Sequence, residues 1–133
     1  MNAVFLDTAG LLAVWDTRDQ WHAQADRVFR GLLASRARLL TSTFVLLECG
    51  NAAARRPYRQ AVVHLGVALE RSNALIVPTD EDWRTGWSGY ERVGAHSAGL
   101  VDHISFAIMR RLNMTTAFTH DKHFRITRFQ ALV

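Results

Sequence analysis

The sequence predicts an α/β protein: a three-layer α/β/α sandwich around a mostly parallel sheet of four or five strands. Short apolar runs alternate along the chain with longer segments of helical periodicity. That alternation is typical of parallel sheets whose strands are connected by helices. A length of 133 residues suits one domain, so we expect a single domain over 1–133.

Apolar and β-branched runs predict the strands. The first covers residues 3–6, is continuously apolar and ends directly at Asp7. Pro78 stops a second such run, because proline cannot continue a central strand. The predicted strands are residues 3–6, 38–41, 74–77 and 116–119, with an edge strand at 126–129.

Apolar residues at three- and four-residue intervals predict the helices. The clearest pattern is amphipathic and extends over about 20–35. Ser42 or Thr43 is the predicted N-cap of the next helix, and Pro57 is expected in the first turn of the one after it. The predicted helices are a segment beginning near Thr8, then 20–35, 43–55, 57–72, 80–93 and 100–112, with a loop at 96–99.

Composition narrows the function classes without choosing one. The formal net charge is +4, and a basic surface attracts polyanions, although the codon bias of a GC-rich genome explains the excess of arginine equally well. The single cysteine, Cys49, excludes an internal disulfide and a cysteine-only zinc site. Without a signal-peptide pattern or an apolar run of roughly 18 residues, we expect a cytoplasmic protein with no membrane partner.

Four of the twelve acidic residues occupy positions that favour a function. Asp7 and Asp121 each follow a predicted strand, at the sheet edge where parallel α/β proteins bind ligands. Glu48 and Asp102 lie near the starts of helices, among apolar residues where a lone charge is costly to bury. Each has a structural alternative: helix caps for the two strand-end aspartates, a partly exposed position for the glutamate, and a first-turn helix charge for Asp102.

The other eight acids have polar neighbours and are interpreted as solvated or helix-start charges: Asp16, Asp19, Asp26, Glu70, Asp80, Glu81, Asp82 and Glu91.

A doubly wound sheet would bring the four favoured acids together. Carboxylates at one place repel one another and remain ionised only beside cations. Oxygen-only ligands favour Mg²⁺ or Mn²⁺ over zinc. Such cations activate water and neutralise phosphate charge, so the predicted chemistry is metal-assisted hydrolysis of a phosphodiester.

The segments around these acids resemble the PIN-domain family, in particular the VapC-type toxins of type II toxin–antitoxin pairs. The resemblance covers residues 4–124, and the spacings between successive acids are 41, 54 and 19 residues. Four segments carry it: FLDT at 5–8, TSTFVLLECGN at 41–51, GLVDHISFAIM at 99–109 and AFTHDKHF at 117–124.

The resemblance implies a Mg²⁺- or Mn²⁺-dependent endoribonuclease in which the four acids are the metal and catalytic residues. It also implies an RNA substrate, a cognate antitoxin protein and a homodimer. The residues that match supporting positions of the family are Thr8, Asn51, Ser105 and Thr119. Gly99 departs from the family pattern, in which a serine often stands there.

Residues beside the fourth acid are candidates for RNA contact. Lys122 is the best placed, and His123 is a weaker candidate whose alternative is an ordinary surface histidine. No pair of histidines has the HExxH spacing of a helical zinc site. Trp15 and Trp21 either cover the site or an antitoxin groove, or pack in the core.

Three alternatives stay open at this point. The chain is a non-catalytic PIN scaffold that binds RNA or protein, an RNA-processing nuclease without a toxin role, or a phosphohydrolase of small molecules. The last class commonly uses an Asp-x-Asp motif, whereas here Thr8 and Ala9 follow Asp7.

Overall fold

The computed structural model of the chain describes residues 3–92 and 97–133. In chain order the elements are β1 (Ala3–Leu6), α1 (Thr8–Trp15), α2 (His22–Ala34), β2 (Arg38–Ser42), α3 (Thr43–Ala53), α4 (Arg59–Arg71), β3 (Leu75–Ile76), α5 (Asp80–Glu91), α6 (Leu100–Arg111), β4 (Thr116–Phe118), α7 (Lys122–Ile126) and β5 (Gln130–Ala131). Within the described residues, no helix is long and apolar enough to cross a membrane.

The five strands form one sheet in the order β3-β2-β1-β4-β5, and every neighbouring pair is parallel. Helices flank this sheet, so the predicted α/β/α class is confirmed. The chain passes from β1 outward to β3 and then returns to β4 on the other side of β1. This reversal places the topological switch point, where parallel sheets bind ligands, between β1 and β4.

The contact between α1 and β4 fixes the geometry at that switch point. Leu6 pairs with Phe118, so the residues that follow, Asp7 and Thr119, leave the sheet side by side. A β-carbon on Gly10 would lie 2.3 Å from the carbonyl oxygen of Phe118. Only glycine therefore allows α1 to pack this closely against the end of β4.

The apolar core lies around β1, β4 and α6. Its largest fully buried side chains include four phenylalanines: Phe5, Phe106, Phe118 and Phe124. Phe106 of α6 packs edge-to-face on Phe124 of α7, with ring centroids 4.9 Å apart. Packing of this kind fixes α6, which carries Asp102, relative to α7, whose N-cap is Asp121.

The predicted edge strand at 126–129 is wrong. Residues Lys122–Ile126 form the short helix α7, and the edge strand β5 begins only at Gln130. Asp121 caps α7 by accepting a hydrogen bond from the backbone N–H of His123, and Arg128 turns the chain with a φ of 73°. A short apolar run does not by itself distinguish a strand from a helix turn, and here the cap decided it.

The remaining elements agree with prediction to within about two residues. Pro57 lies in the turn before α4 and not in its first helical turn, since Tyr58 is the N-cap. Ser42 is the cap of α3, and its hydroxyl accepts from the backbone N–H of Val45. Helix α5 ends at Glu91; Val93 and part of the predicted loop at 96–99 lie outside the described residues.

Asp82 lies in the first turn of α5, which confirms its interpretation as a helix-start charge, but the charge is not solvated. Its side chain is 2% exposed and accepts two hydrogen bonds from Arg111, at 2.9 Å from Nε and 2.8 Å from Nη2. It also forms a capping box with Thr79. Burial raises the pKa of the Asp82 carboxyl, but the bonds from Arg111 and Thr79 outweigh burial and hold the pKa below its usual range. The ion pair ties α5 to α6.

We therefore expect Arg111→Met to lower the free energy of unfolding by about 1–3 kcal/mol, because it leaves a buried carboxylate without its cation. Urea denaturation measures the change. The matched control is Arg30→Met on α2, which breaks an exposed pair with Asp26 and should cost below about 0.5 kcal/mol. Equal losses in the two variants would show that the Asp82 pair adds nothing beyond a surface contact.

Candidate active site

Asp7 lies at the C-terminal end of β1 and is 2% exposed. Its Oδ2 atom accepts hydrogen bonds from the Thr119 hydroxyl at 2.8 Å and from the backbone N–H of Ala9 at 3.3 Å. Its Oδ1 atom is buried and has no hydrogen-bond partner among the described residues. Asp7 therefore caps α1, as the structural alternative proposed, but the cap uses only one of its two oxygens.

Glu48 reaches the same place from α3. Its Oε1 atom accepts a 2.7 Å hydrogen bond from the hydroxyl of Thr8, the first residue of α1. The Thr41 hydroxyl at the end of β2 donates to the carbonyl of Leu6, which joins β2 and the start of α3 to the end of β1. The glutamate is half-buried and anchored beside Asp7.

Asp102 lies in the first turn of α6 and is half-buried. Ser105, one turn later on α6, is 1% exposed, and its hydroxyl oxygen has no hydrogen-bond partner among the described residues. Gly99 is the N-cap of α6 and makes no side-chain cap. The start of α6 thus carries a half-buried carboxylate, with a buried hydroxyl one helical turn further on.

Asp121 is joined to Asp7 through Thr119. The Thr119 hydroxyl donates to Asp7 and accepts from the backbone N–H of Asp121 at 3.0 Å. The Oδ1 atom of Asp121 accepts the backbone N–H of His123 at 2.9 Å and lies 2.7 Å from the Nδ1 atom of its ring. A single hydroxyl therefore sets the positions of the first and the fourth acid.

Burial and repulsion among the acids raise the pKa values of Asp7 and Asp102. Burial, with the charges of Asp102 and Asp121, raises the pKa of Asp7 to about 8, against the hydrogen bonds from Thr119 and Ala9. Burial also raises the pKa of Asp102 to about 6, together with the charges of Asp121 and Glu48. Without a cation, part of the site binds protons at neutral pH.

The donor atoms fit a divalent cation. A desolvated carboxylate oxygen without a partner, as at Asp7, is the kind of atom that a cation satisfies. Among the described residues, Asp102, Asp121 and His123 offer ligand atoms that all lie within 4.8 Å of one another. Carboxylate-rich sites of this kind suit Mg²⁺ or Mn²⁺.

The sequence profile of the PIN domain matches residues 4–130, nearly the whole chain. The chain belongs to the PIN-domain family. The crystal structure of Mycobacterium tuberculosis VapC20, a sarcin-ricin loop cleaving toxin, is similar to this PIN domain with a TM-score of 0.77 and 28% identity. The similarity covers 95% of each chain. A comparison with curated proteins gives no match. The resemblance stated from the four acidic segments is confirmed.

The other predicted residues of the PIN domain differ in whether they contact the four acids. Thr8 and Thr119 bond directly to acids of the site, and Ser105 lies buried beside Asp102. Asn51 is exposed and, among the described residues, forms no side-chain hydrogen bond with the acids. Lys122 is exposed at the start of α7. The catalytic, metal-binding and RNA-binding roles of these residues stay predictions.

Other side chains near the site have packing contacts. Trp21 stacks on His120 with ring centroids 5.0 Å apart, and Trp15 stacks on Tyr58 at 6.3 Å. Burial raises the pKa of the Cys49 thiol to about 12, with Asp7 and Glu48 adding to the effect. Cys49 is therefore a protonated, fully buried thiol, as expected of a small core residue.

The metal-free protein should become less stable as pH rises. Because the folded-state pKa values of Asp7 and Asp102 exceed the unfolded values near 4, the native state binds more protons, and stability falls from about pH 4 through about pH 8. Melting curves in EDTA from pH 5 to pH 8 measure this. Asp7→Asn should flatten the decline, and Asp102→Asn should melt at or above wild type at pH 8. If both variants melt well below wild type at pH 8, the carboxylates make stabilising contacts instead.

Proposed function

We propose that this PIN domain is a metal-dependent endoribonuclease and the toxin of a VapC-type toxin–antitoxin pair. The observation that carries the proposal is the meeting of four carboxylates at the switch point of the sheet, one of them with a buried, unpartnered oxygen. The fold similarity to VapC20, an RNA-cleaving toxin, supports the same conclusion. Of the alternatives, a scaffold without catalysis would not need this arrangement.

The cation, Mg²⁺ or Mn²⁺, would be held by Asp7, Glu48, Asp102 and Asp121. The chemistry supplied by such a cation is the activation of water and the neutralisation of charge on the scissile phosphate. A bound cation stabilises carboxylates that repel one another, because it offsets their mutual repulsion. The carboxylates then remain ionised without having to bind protons.

The chain's own residues position these ligands. Thr8 holds one oxygen of Glu48, and Thr119 holds one oxygen of Asp7. In each case no other described residue donates a hydrogen bond to the second carboxylate oxygen, and the existing bond restricts rotation of the side chain. Lys122, exposed beside Asp121, would contact RNA phosphate, and the net charge of +4 favours approach of a polyanion.

The named substrate of VapC20 indicates which RNA to test first. We propose a structured RNA loop as substrate, and a hairpin with the sarcin–ricin loop sequence is the first probe. Purified wild type should cleave it with Mg²⁺ or Mn²⁺ and stop in EDTA. Asp7→Asn, Glu48→Gln and Asp102→Asn should each lose at least about 100-fold in rate, because each removes an anionic ligand with little change in shape. Asp121→Asn should lose less if it binds only a second ion.

The matched control is Asp80→Asn, which neutralises an exposed carboxylate at the start of α5. It should cleave like wild type. Full activity of a folded Asp102→Asn protein would sink the assignment of the site. Absence of cleavage of any RNA by wild type, with either metal, would favour the non-catalytic scaffold. Hydrolysis of small phosphate esters in place of RNA would favour the phosphohydrolase.

Toxicity separates a toxin from an RNA-processing nuclease. Expression of the wild-type chain without a partner should arrest bacterial growth, whereas Asp102→Asn should not. Colony counts after induction measure the difference, with Asp80→Asn as the toxic control. Wild type that is soluble and active on RNA in vitro but harmless in cells would point to a processing role. A small reading frame upstream that encodes a DNA-binding fold would identify the antitoxin.

We also propose that the protein is a homodimer that associates through α5. Three aromatic residues on one side of this helix are exposed by 38–49%: Trp83, Trp87 and Tyr90, the α5 aromatic stripe. Their rings pack edge to face in sequence, at centroid distances of 5.8 and 5.5 Å. An exposed aromatic surface of this kind is typical of protein interfaces.

Charge complementarity favours a second copy as the partner. Arg84 and Glu91 are exposed, lie seven residues apart, and therefore flank the same side of the α5 aromatic stripe. When two copies of α5 pack antiparallel about a two-fold axis, Arg84 of each copy faces Glu91 of the other.

Light scattering after size-exclusion chromatography tests this interface. Wild type should have twice the mass of one chain, and Trp87→Glu should have the mass of one, because a charge at the centre of the stripe is not paired across the axis. Val63→Glu on α4 is the control, since it replaces another exposed apolar residue. A dimer that persists in Trp87→Glu excludes this face.

A further inference from the structure

The hydrogen bonds of Asp121 leave one of its oxygens free and bring a histidine to the site. Both the backbone N–H and the ring Nδ1 of His123 contact Oδ1 of Asp121. Within the described residues, no hydrogen bond reaches Oδ2. The His123 side chain is 17% exposed, so its ring is directed mainly toward protein.

The ring of His123 has the spacing of a ligand. It belongs to the group of side chains, with Asp102 and Asp121, whose ligand atoms lie within 4.8 Å of one another. Neighbouring ligands of an octahedral cation bound at about 2.1 Å lie about 3.0 Å apart. Nδ1 of His123 and Oδ1 of Asp121 lie 2.7 Å apart, joined by a hydrogen bond, so only a small movement separates these two atoms from that spacing.

A second observation points to a ligand at this cluster. The unpartnered Oδ1 atom belongs to Asp7, whose carboxylate interacts electrostatically with both Asp102 and Asp121. The other unpartnered oxygen, on Ser105, lies one helical turn from Asp102. A buried carboxylate oxygen that lacks a partner, on an acid coupled to two members of the ligand group, indicates a place where a bound species satisfies it.

We propose that His123 is a direct ligand of the divalent cation, so that this PIN domain has a mixed oxygen and nitrogen site in place of an oxygen-only one. The ring proton then resides on Nε2, the Nδ1 lone pair faces the cation, and the backbone N–H of His123 continues to hold Asp121. This inference rests on the proposed metal-dependent function. An imidazole ligand favours Mn²⁺ over Mg²⁺, so His123 also sets the metal preference.

Pulsed EPR of the full chain loaded with Mn²⁺ tests the ligand directly. Wild type should show hyperfine coupling from a coordinated nitrogen, and His123→Gln should lose it. The matched control is His120→Gln, because His120 adjoins Asp121 on the other side, stacks on Trp21 and lies outside the ligand group. His120→Gln should retain the coupling.

Titration calorimetry supplies a second readout. His123→Gln should weaken Mn²⁺ binding by at least about tenfold and Mg²⁺ binding by much less, whereas loss of positioning alone would weaken both equally. Circular dichroism verifies that His123→Gln is folded. If it is not, His123→Asn is measured in its place.

Two results would overturn the proposal: Mn²⁺ bound to wild type without nitrogen coupling, and nitrogen coupling that survives in His123→Gln. In either case His123 only positions Asp121. RNA cleavage by the same samples separates a failure of the ligand proposal from a failure of the proposed function. Cleavage with Mn²⁺ and no nitrogen coupling leaves the proposed function standing. Failure of wild type to bind Mn²⁺ removes both.

Discussion

The buried carboxylate of Asp7 carries an energetic penalty that its neighbours reduce on only one of its two oxygens. Thr119 and Ala9 satisfy Oδ2, while Oδ1 lies in the interior without a partner among the described residues. The nearby charges of Asp102 and Asp121 increase the penalty. A protein tolerates such a group when a proton or a cation neutralises it, and the arrangement of the other three acids favours a cation.

The fold brings the acidic residues to one place, the ends of β1 and β4. The parallel sheet brings the ends of β1 and β4 together, and the missing side chain at Gly10 lets α1 lie directly against them. Threonine hydroxyls then hold two of the acids, Thr8 bonding to Glu48 and Thr119 to Asp7. Packing and hydrogen bonding fix the positions of these carboxylates in advance, so that little side-chain order would remain to be gained if they bind a cation as proposed.

Much of this arrangement was predictable from the sequence, because strands buried on both faces are continuous apolar runs and an acid that ends such a run lies at the ligand-binding edge. Asp7 and Asp121 carry that signal directly. The burial of Asp82 was not predictable, since its partner Arg111 is 29 residues away and the pairing depends on how α5 packs on α6. Helix α7 was missed, although a cap at Asp121 was one alternative, because Lys122 and His123 follow Asp121 and give no apolar helical pattern.

The most direct test of the central claim is anomalous diffraction from crystals of the wild-type protein soaked in Mn²⁺. The ion should lie in contact with the carboxylates of Asp7 and Asp102, with the Oδ1 atom of Asp7 among its ligands or hydrogen-bonded to one of them. Crystals of Asp102→Asn soaked in the same way should show the ion weakly or not at all. Anomalous density confined to surface acids, in crystals of a protein that cleaves RNA, would contradict the claim that these carboxylates form the cation site.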